Sequence, residues 1–152
     1  MRLTPTFAYP RAKMNQWIST VSEYYYPQIV FRLSHERKVF PELGIEPDER
    51  IVQAALPRID RALDVLEREL SAGQPFLVGD ELTLADFFLL PSMFAFGLTH
   101  EGRNMLEKYP RARQWDERMS ALPSIKSFRA TLPPRTPIEH ARQWAIEHRA
   151  GV

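Results

Sequence analysis

The stretch FLVGDELTLADFFLLPSMFAFGL, residues 76–98, decides the fold. From Leu84 to Leu98 apolar residues fall on every side of a helical wheel, and the run is broken by Asp86 and Pro91 before it reaches bilayer length. A helix that is apolar all round and too short to span a membrane is one buried within a bundle. Its start is strongly marked. Thr83 at the N-cap position can accept from the Asp86 backbone N–H while the Asp86 carboxylate reaches back to the Thr83 N–H, and Leu82 faces Phe87 as a hydrophobic staple. A lone carboxylate on an apolar helix could serve as an acid or base; the structural capping box of Thr83 and Asp86 accounts for it without that role.

Helical periodicity continues on both sides. From Pro10 to about Phe40, Met14, Trp17, Ile18, Val21, Tyr25, Ile29, Val30 and Leu33 recur at three-and-four spacing, and Pro27 implies a kink or break near Glu23. PELGIEPDE, residues 41–49, supplies a turn and then two first-turn carboxylates, Asp48 and Glu49. Ile51, Ala55, Ile59, Leu63, Leu66 and Leu70 then form the stripe of an amphipathic helix, with Gly73 placed to end it. Downstream, PRARQWDERMSAL from Pro110 to Leu122 turns Ala112, Trp115, Met119 and Leu122 inward, Pro123 opens a short helix, and Pro137 opens a last one to about Arg149. No segment alternates like a strand. The fold expected is all-α, a bundle of five or more helices around a buried central one.

Composition narrows the chemistry. The 152 residues carry 20 Lys and Arg against 19 Asp and Glu, so a net charge of +1 gives no electrostatic case for nucleic acid or an acidic membrane. With no cysteine there are no disulfides, thiolate metal sites or thiol nucleophiles in this stretch, and a cytoplasmic setting is expected. His35, His100, His140 and His148 are scattered without zinc spacing, so no metal site is expected. The six glycines form neither a nucleophile elbow nor a phosphate loop. The basic residues around Arg111 and Arg113 are interspersed with Glu107, Asp116 and Glu117, the pattern of a solvated face.

Tyr24, Tyr25 and Tyr26 immediately precede Pro27. Consecutive helical positions point about 100° apart, so one phenol belongs to the core while another can present its hydroxyl to a cleft at the kink. Phenols donate to anions and stack on aromatic rings, which suits a hydrophobic pocket with a polar tip; on the residues alone, packing with incidental exposure accounts for them better.

TLADFFLLPSM preceded by FLVGDE resembles the C-terminal helical domain of cytosolic glutathione transferases. PRAKMNQWIST resembles the first helix after that family's interdomain linker, RIDRALDVLERELSAGQPFLVGD the next helix and loop, and YPRARQWDERMSALPSIKSF the tryptophan helix with the proline-started helix that follows. On this resemblance residues 1–9 are a linker remnant, 10–130 the helical domain, and 131–152 a C-terminal connector and helix. Family members place a thioredoxin-like domain before the linker, and it carries the catalytic serine, tyrosine or cysteine with most glutathione contacts. The chain begins where that domain would end, so no catalytic residue carries over.

What the resemblance transfers is a wall of the substrate pocket and part of a dimer interface. Tyr26 matches a position where some bacterial members put a histidine facing glutathione and the electrophile, and Ser19 one where they put a polar residue reaching the partner subunit's glutathione. Substrate contacts are therefore expected from Tyr25, Tyr26 and Ser22, and glutathione contacts from Ser19 and Tyr26. Glutathione would be the cosubstrate, with no cofactor held tightly by this chain. The expected partners are a hydrophobic electrophile, an upstream thioredoxin-like domain and a second copy of the chain. The alternative is a stand-alone helical protein-association domain without catalytic activity.

Overall fold

A computed structural model describes residues 3–70, 73–131 and 141–149. The chain runs through α1 (Ala8–Thr20), a π-wound segment π1 (Val21–Val39), a single turn α2 (Phe40–Glu42), α3 (Glu49–Glu69), α4 (Leu84–Gly97), α5 (His100–Leu106), α6 (Pro110–Ala121), α7 (Pro123–Thr131) and α8 (Ala141–His148). Among the described residues the architecture is all-α, with one isolated bridge between Phe76 and Gly79 in the loop before α4. No described helix is long and apolar enough to cross a membrane.

The expected kink at Pro27 takes the form of altered winding. Proline withholds an N–H from the helical ladder, and just upstream the hydroxyls of Thr20 and Ser22 donate to the carbonyls of Gln16 and Ile18, a back-bonding that loosens helices. From Val21 the helix widens, and it ends with the Phe40 N–H donating to the His35 carbonyl. The wider period lines up four rings spaced by five, four and five residues. Tyr26 meets Phe31 edge-on at 5.1 Å, Phe31 meets His35 at 5.2 Å, and His35 meets Phe40 at 5.9 Å.

One contiguous core joins Trp17, Tyr25, Ile29 and Leu33 of the long helix to Ile59, Leu63 and Leu66 of α3, Leu89, Met93 and Phe96 of α4, and Trp115 and Met119 of α6. On α3 the buried position of the first turn is Val52, while Ile51, expected on the stripe, is half-buried. The central helix departs from all-round burial. One flank exposes Phe88 at 48% and Phe94 at 40%, with Pro91 between them also exposed. Leu3 anchors the chain that precedes α1, its carbonyl accepting from the Leu84 N–H at 3.0 Å.

Helix α5 has no counterpart in the periodicity reading. It starts at Thr99, whose Oγ1 accepts from the Gly102 N–H at 3.0 Å, and it crosses α4 so closely that a Cβ on Gly102 would lie 1.9 Å from the Phe96 carbonyl oxygen. The last helix is described only from Ala141, so Pro137 and the connector around Pro133 and Pro134 lie outside the described residues. Beyond it, Arg149 donates to the fully buried Glu36 carboxylate at 2.7 Å while its guanidinium lies over the Phe40 ring at 5.1 Å. Glu36 also accepts from the Asp48 N–H at 2.7 Å, so one buried carboxylate ties the long helix, the start of α3 and the C-terminal helix together.

Candidate functional site

Asp86 is buried at the start of α4, where it closes a capping box with Thr83. Its Oδ2 accepts from the Thr83 N–H at 3.0 Å and the Thr83 hydroxyl at 3.1 Å, and its Oδ1 accepts from the Leu77 N–H and Trp115 Nε1, each at 3.0 Å. Both oxygens are committed to protein donors, which leaves no face for a substrate.

The three tyrosines separate by environment. Tyr25 is core: its ring lies 6.2 Å from that of Trp17 and its hydroxyl donates to the Ala62 carbonyl at 2.6 Å. Burial pushes its phenol well above the ordinary tyrosine range, so it stays a neutral donor. Tyr26 is 41% exposed and leans on the edge of Phe31. Tyr24, at 65%, is the most exposed of the three. Ser22 is exposed with its hydroxyl turned back to Ile18, and Ser19 is exposed one turn earlier.

A cleft of about 540 Å³ opens between π1 and α3, with Tyr24 and Gln28 on one wall, Arg58 and Arg61 on the other, and Tyr25, Ala62 and Val65 as its apolar floor. The structure brings Tyr24 and Tyr25 to this cleft, whereas Tyr26, Ser22 and Ser19 are not among its lining residues. Periodicity could not find the two arginines, because on a helical wheel they read as an ordinary solvated flank. Among the described residues no group of His, Cys, Asp and Glu could hold a metal ion. The basic residues of α6 have local partners: Arg111 with Glu67, Arg113 with Glu117, and Arg118 with the Pro75 carbonyl.

The long interrupted helix packs against amphipathic α3 and against the capped apolar helix α4, an all-α arrangement. The sequence model described as "Glutathione S-transferase, C-terminal domain" matches residues 14–123. The chain belongs to that family. It is 31% identical over 127 residues to glutathione S-transferase 3 of Zea mays, covering 80% of this chain and 54% of that protein. The solved apo structure of a glutathione S-transferase III superposes over 90% of this chain and 61% of that one, with a TM-score of 0.79 and 29% identity. A glutathione S-transferase I from maize, solved with an atrazine glutathione conjugate, shares the fold with a TM-score of 0.74 at 24% identity. The chain spans about half the length of the curated relatives it matches.

Proposed function

We propose that this chain is the electrophile-pocket domain of a glutathione transferase and conjugates glutathione to hydrophobic electrophiles only together with a thioredoxin-like domain. The observation that carries this reading is the flank of α4, where Phe88, Pro91 and Phe94 stand exposed on the helix that should be buried. An apolar helix with one open flank is built to meet another body, and the matched relatives have about as much chain again. The maize enzyme solved with an atrazine glutathione conjugate, of the same fold, supports glutathione as cosubstrate and an aromatic electrophile as its partner. Residues 10–130 would be the helical domain, residues 1–9 its linker, and a homodimer using the first helix its assembly.

In this reading glutathione thiolate attacks an electrophilic carbon, held and activated by donors of the other domain, and this chain supplies walls and orientation. Tyr26, exposed beside Ser22 and braced by Phe31, would orient the electrophile or donate to its leaving group. Ser19 would reach the glutathione of the partner subunit. Tyr25, whose hydroxyl is held by Ala62, would contribute ring surface without a proton. In a protein containing both domains, Tyr26→Phe should lower turnover or alter KM for an aromatic chloride with the KM for glutathione little changed. An unaltered profile would return Tyr26 to packing.

The same exposed flank suits the second reading, a stand-alone association domain. A thioredoxin-like stretch encoded in frame immediately upstream supports conjugation, and an in-frame stop there supports association.

A further inference from the structure

The end of α3 with the loop that follows it and one edge of α6 enclose a small hollow of about 120 Å³, lined by Leu70, Gly73 and Gln74 on one side and by Arg111, Gln114 and Arg118 on the other. Sites for drug-sized ligands run from roughly 300 Å³ upward, so this one admits only a small group. Residues 111, 114 and 118 recur at three-and-four spacing and share one face of α6. No acidic side chain is among the lining residues, and the two guanidinium groups make the hollow positive.

Neither arginine is spent on its local partner. Glu67 uses both carboxylate oxygens to accept from the Arg111 N–H, at 3.1 and 3.0 Å, and from the Ala112 N–H at 2.9 Å, and the Arg111 guanidinium stands 3.6 Å away, an ion pair without a hydrogen bond. Glu67 thus closes the N-terminus of α6, and the donors left over are side chains. Arg118 gives one Nη1 to the Pro75 carbonyl at 2.6 Å, which fixes the fork in place and leaves its Nε and Nη2 without an acceptor among the described residues. On the facing wall Gln74 Nε2 donates to the Glu69 carbonyl at 3.0 Å and to Glu69 Oε1 at 3.1 Å, so its own carbonyl oxygen remains as an acceptor. Two guanidinium forks and an amide beside one acceptor suit a tetrahedral oxoanion that still carries a proton. A carboxylate offers two oxygens in one plane and no hydrogen, whereas hydrogen phosphate offers three acceptor oxygens and one O–H at neutral pH.

We propose that this hollow is a binding site for inorganic hydrogen phosphate. Arg111 and Arg118 clamp its oxygens, Gln114 donates to it from the same face of α6, and Gln74 accepts from its hydroxyl. The site is independent of conjugation and of any second domain.

Inorganic phosphate titrated into the nitrogen-15-labelled 152-residue chain at constant ionic strength should shift the Gly73 backbone amide and the Gln114 side-chain amide along one saturating curve. Arg111→Ala with Arg118→Ala should weaken that binding at least tenfold. Both arginines are exposed, and an unchanged helical circular dichroism spectrum verifies that the variant folds; Arg118→Lys, which keeps the charge and loses the fork, should weaken binding about threefold by itself. Sulfate, which has no hydrogen at this pH, should bind the unaltered chain about threefold more weakly than phosphate, and Gln74→Leu should erase that difference. Affinity that survives loss of both arginines overturns the proposal, as do shifts that spread over the surface without saturating. Binding lost instead in Arg58→Ala with Arg61→Ala would place the ion in the larger cleft and overturn it too. Phenyl phosphate binding more tightly than the free ion would show that the hollow takes an ester, and would overturn the assignment to hydrogen phosphate.

Discussion

Asp86 joins three segments through one carboxylate: the turn at Leu77, the cap at Thr83 and the indole of Trp115 on α6. Removing it strands buried donors in all three of those segments, and each unsatisfied buried group costs about 1–3 kcal/mol. Losing only the Thr83 side chain costs about 0.5–2 kcal/mol, the usual range for an N-cap. Asp86→Ala should therefore lower the thermal midpoint clearly more than Thr83→Ala, with each kcal/mol shifting it by roughly 2–4 °C in a chain of this size. Equal shifts in the two variants would mean that the Trp115 and Leu77 bonds contribute nothing beyond the cap. Thr83, Asp86 and their spacing were visible in the sequence, because capping is a local pattern. The Trp115 bond was not, since it joins residues 29 positions apart and depends on how α6 crosses α4.

At the scale of elements, α1 and π1 together show both what periodicity reveals and what it hides. Met14, Trp17, Val21, Tyr25, Ile29 and Leu33 are all buried, so the apolar stripe and the disturbance at Pro27 were legible. The π winding was not. It follows from a withheld N–H and two back-bonded hydroxyls acting together, and no single position announces it. Nor could spacing decide which of three consecutive tyrosines enters the core; the answer depends on the Ala62 carbonyl of α3 receiving the Tyr25 hydroxyl. This contact predicts a pH effect. An unfolded Tyr25 ionises near its ordinary value of 10.0, whereas burial raises the folded value well above it. Above pH 10 the unfolded chain releases a proton that the folded chain keeps, so stability falls as pH rises, with a slope approaching about 1.4 kcal/mol per pH unit. Below pH 10 both states are protonated and this contribution vanishes. Tyr109, pushed up to about 12 chiefly by burial and then by Asp60, adds alkaline loss of the same sign. Tyr25→Phe should cost about 1 kcal/mol at neutral pH through the lost hydrogen bond and show a shallower alkaline decline than the unaltered chain. Parallel declines, measured by denaturant unfolding between neutral and alkaline pH, would contradict the burial of that hydroxyl.

At the scale of the whole molecule, a closed core coexists with an open flank. Family membership rests on residues 14–123, and the flank at Phe88, Pro91 and Phe94 lies within that span on its most apolar helix. An exposed apolar surface of this kind promotes association. Phe88→Ser with Phe94→Ser should move the chain toward its monomer mass of 17.7 kDa in sedimentation, and an unchanged distribution would show that the flank does not drive association.

Calorimetric titration of glutathione into this chain alone shows whether the pocket wall depends on another domain for its thiol chemistry. No saturable binding tighter than about 1 mM, a free energy near −4 kcal/mol, is expected. Saturation in the micromolar range would contradict that dependence, because these helices would then hold the main glutathione site themselves.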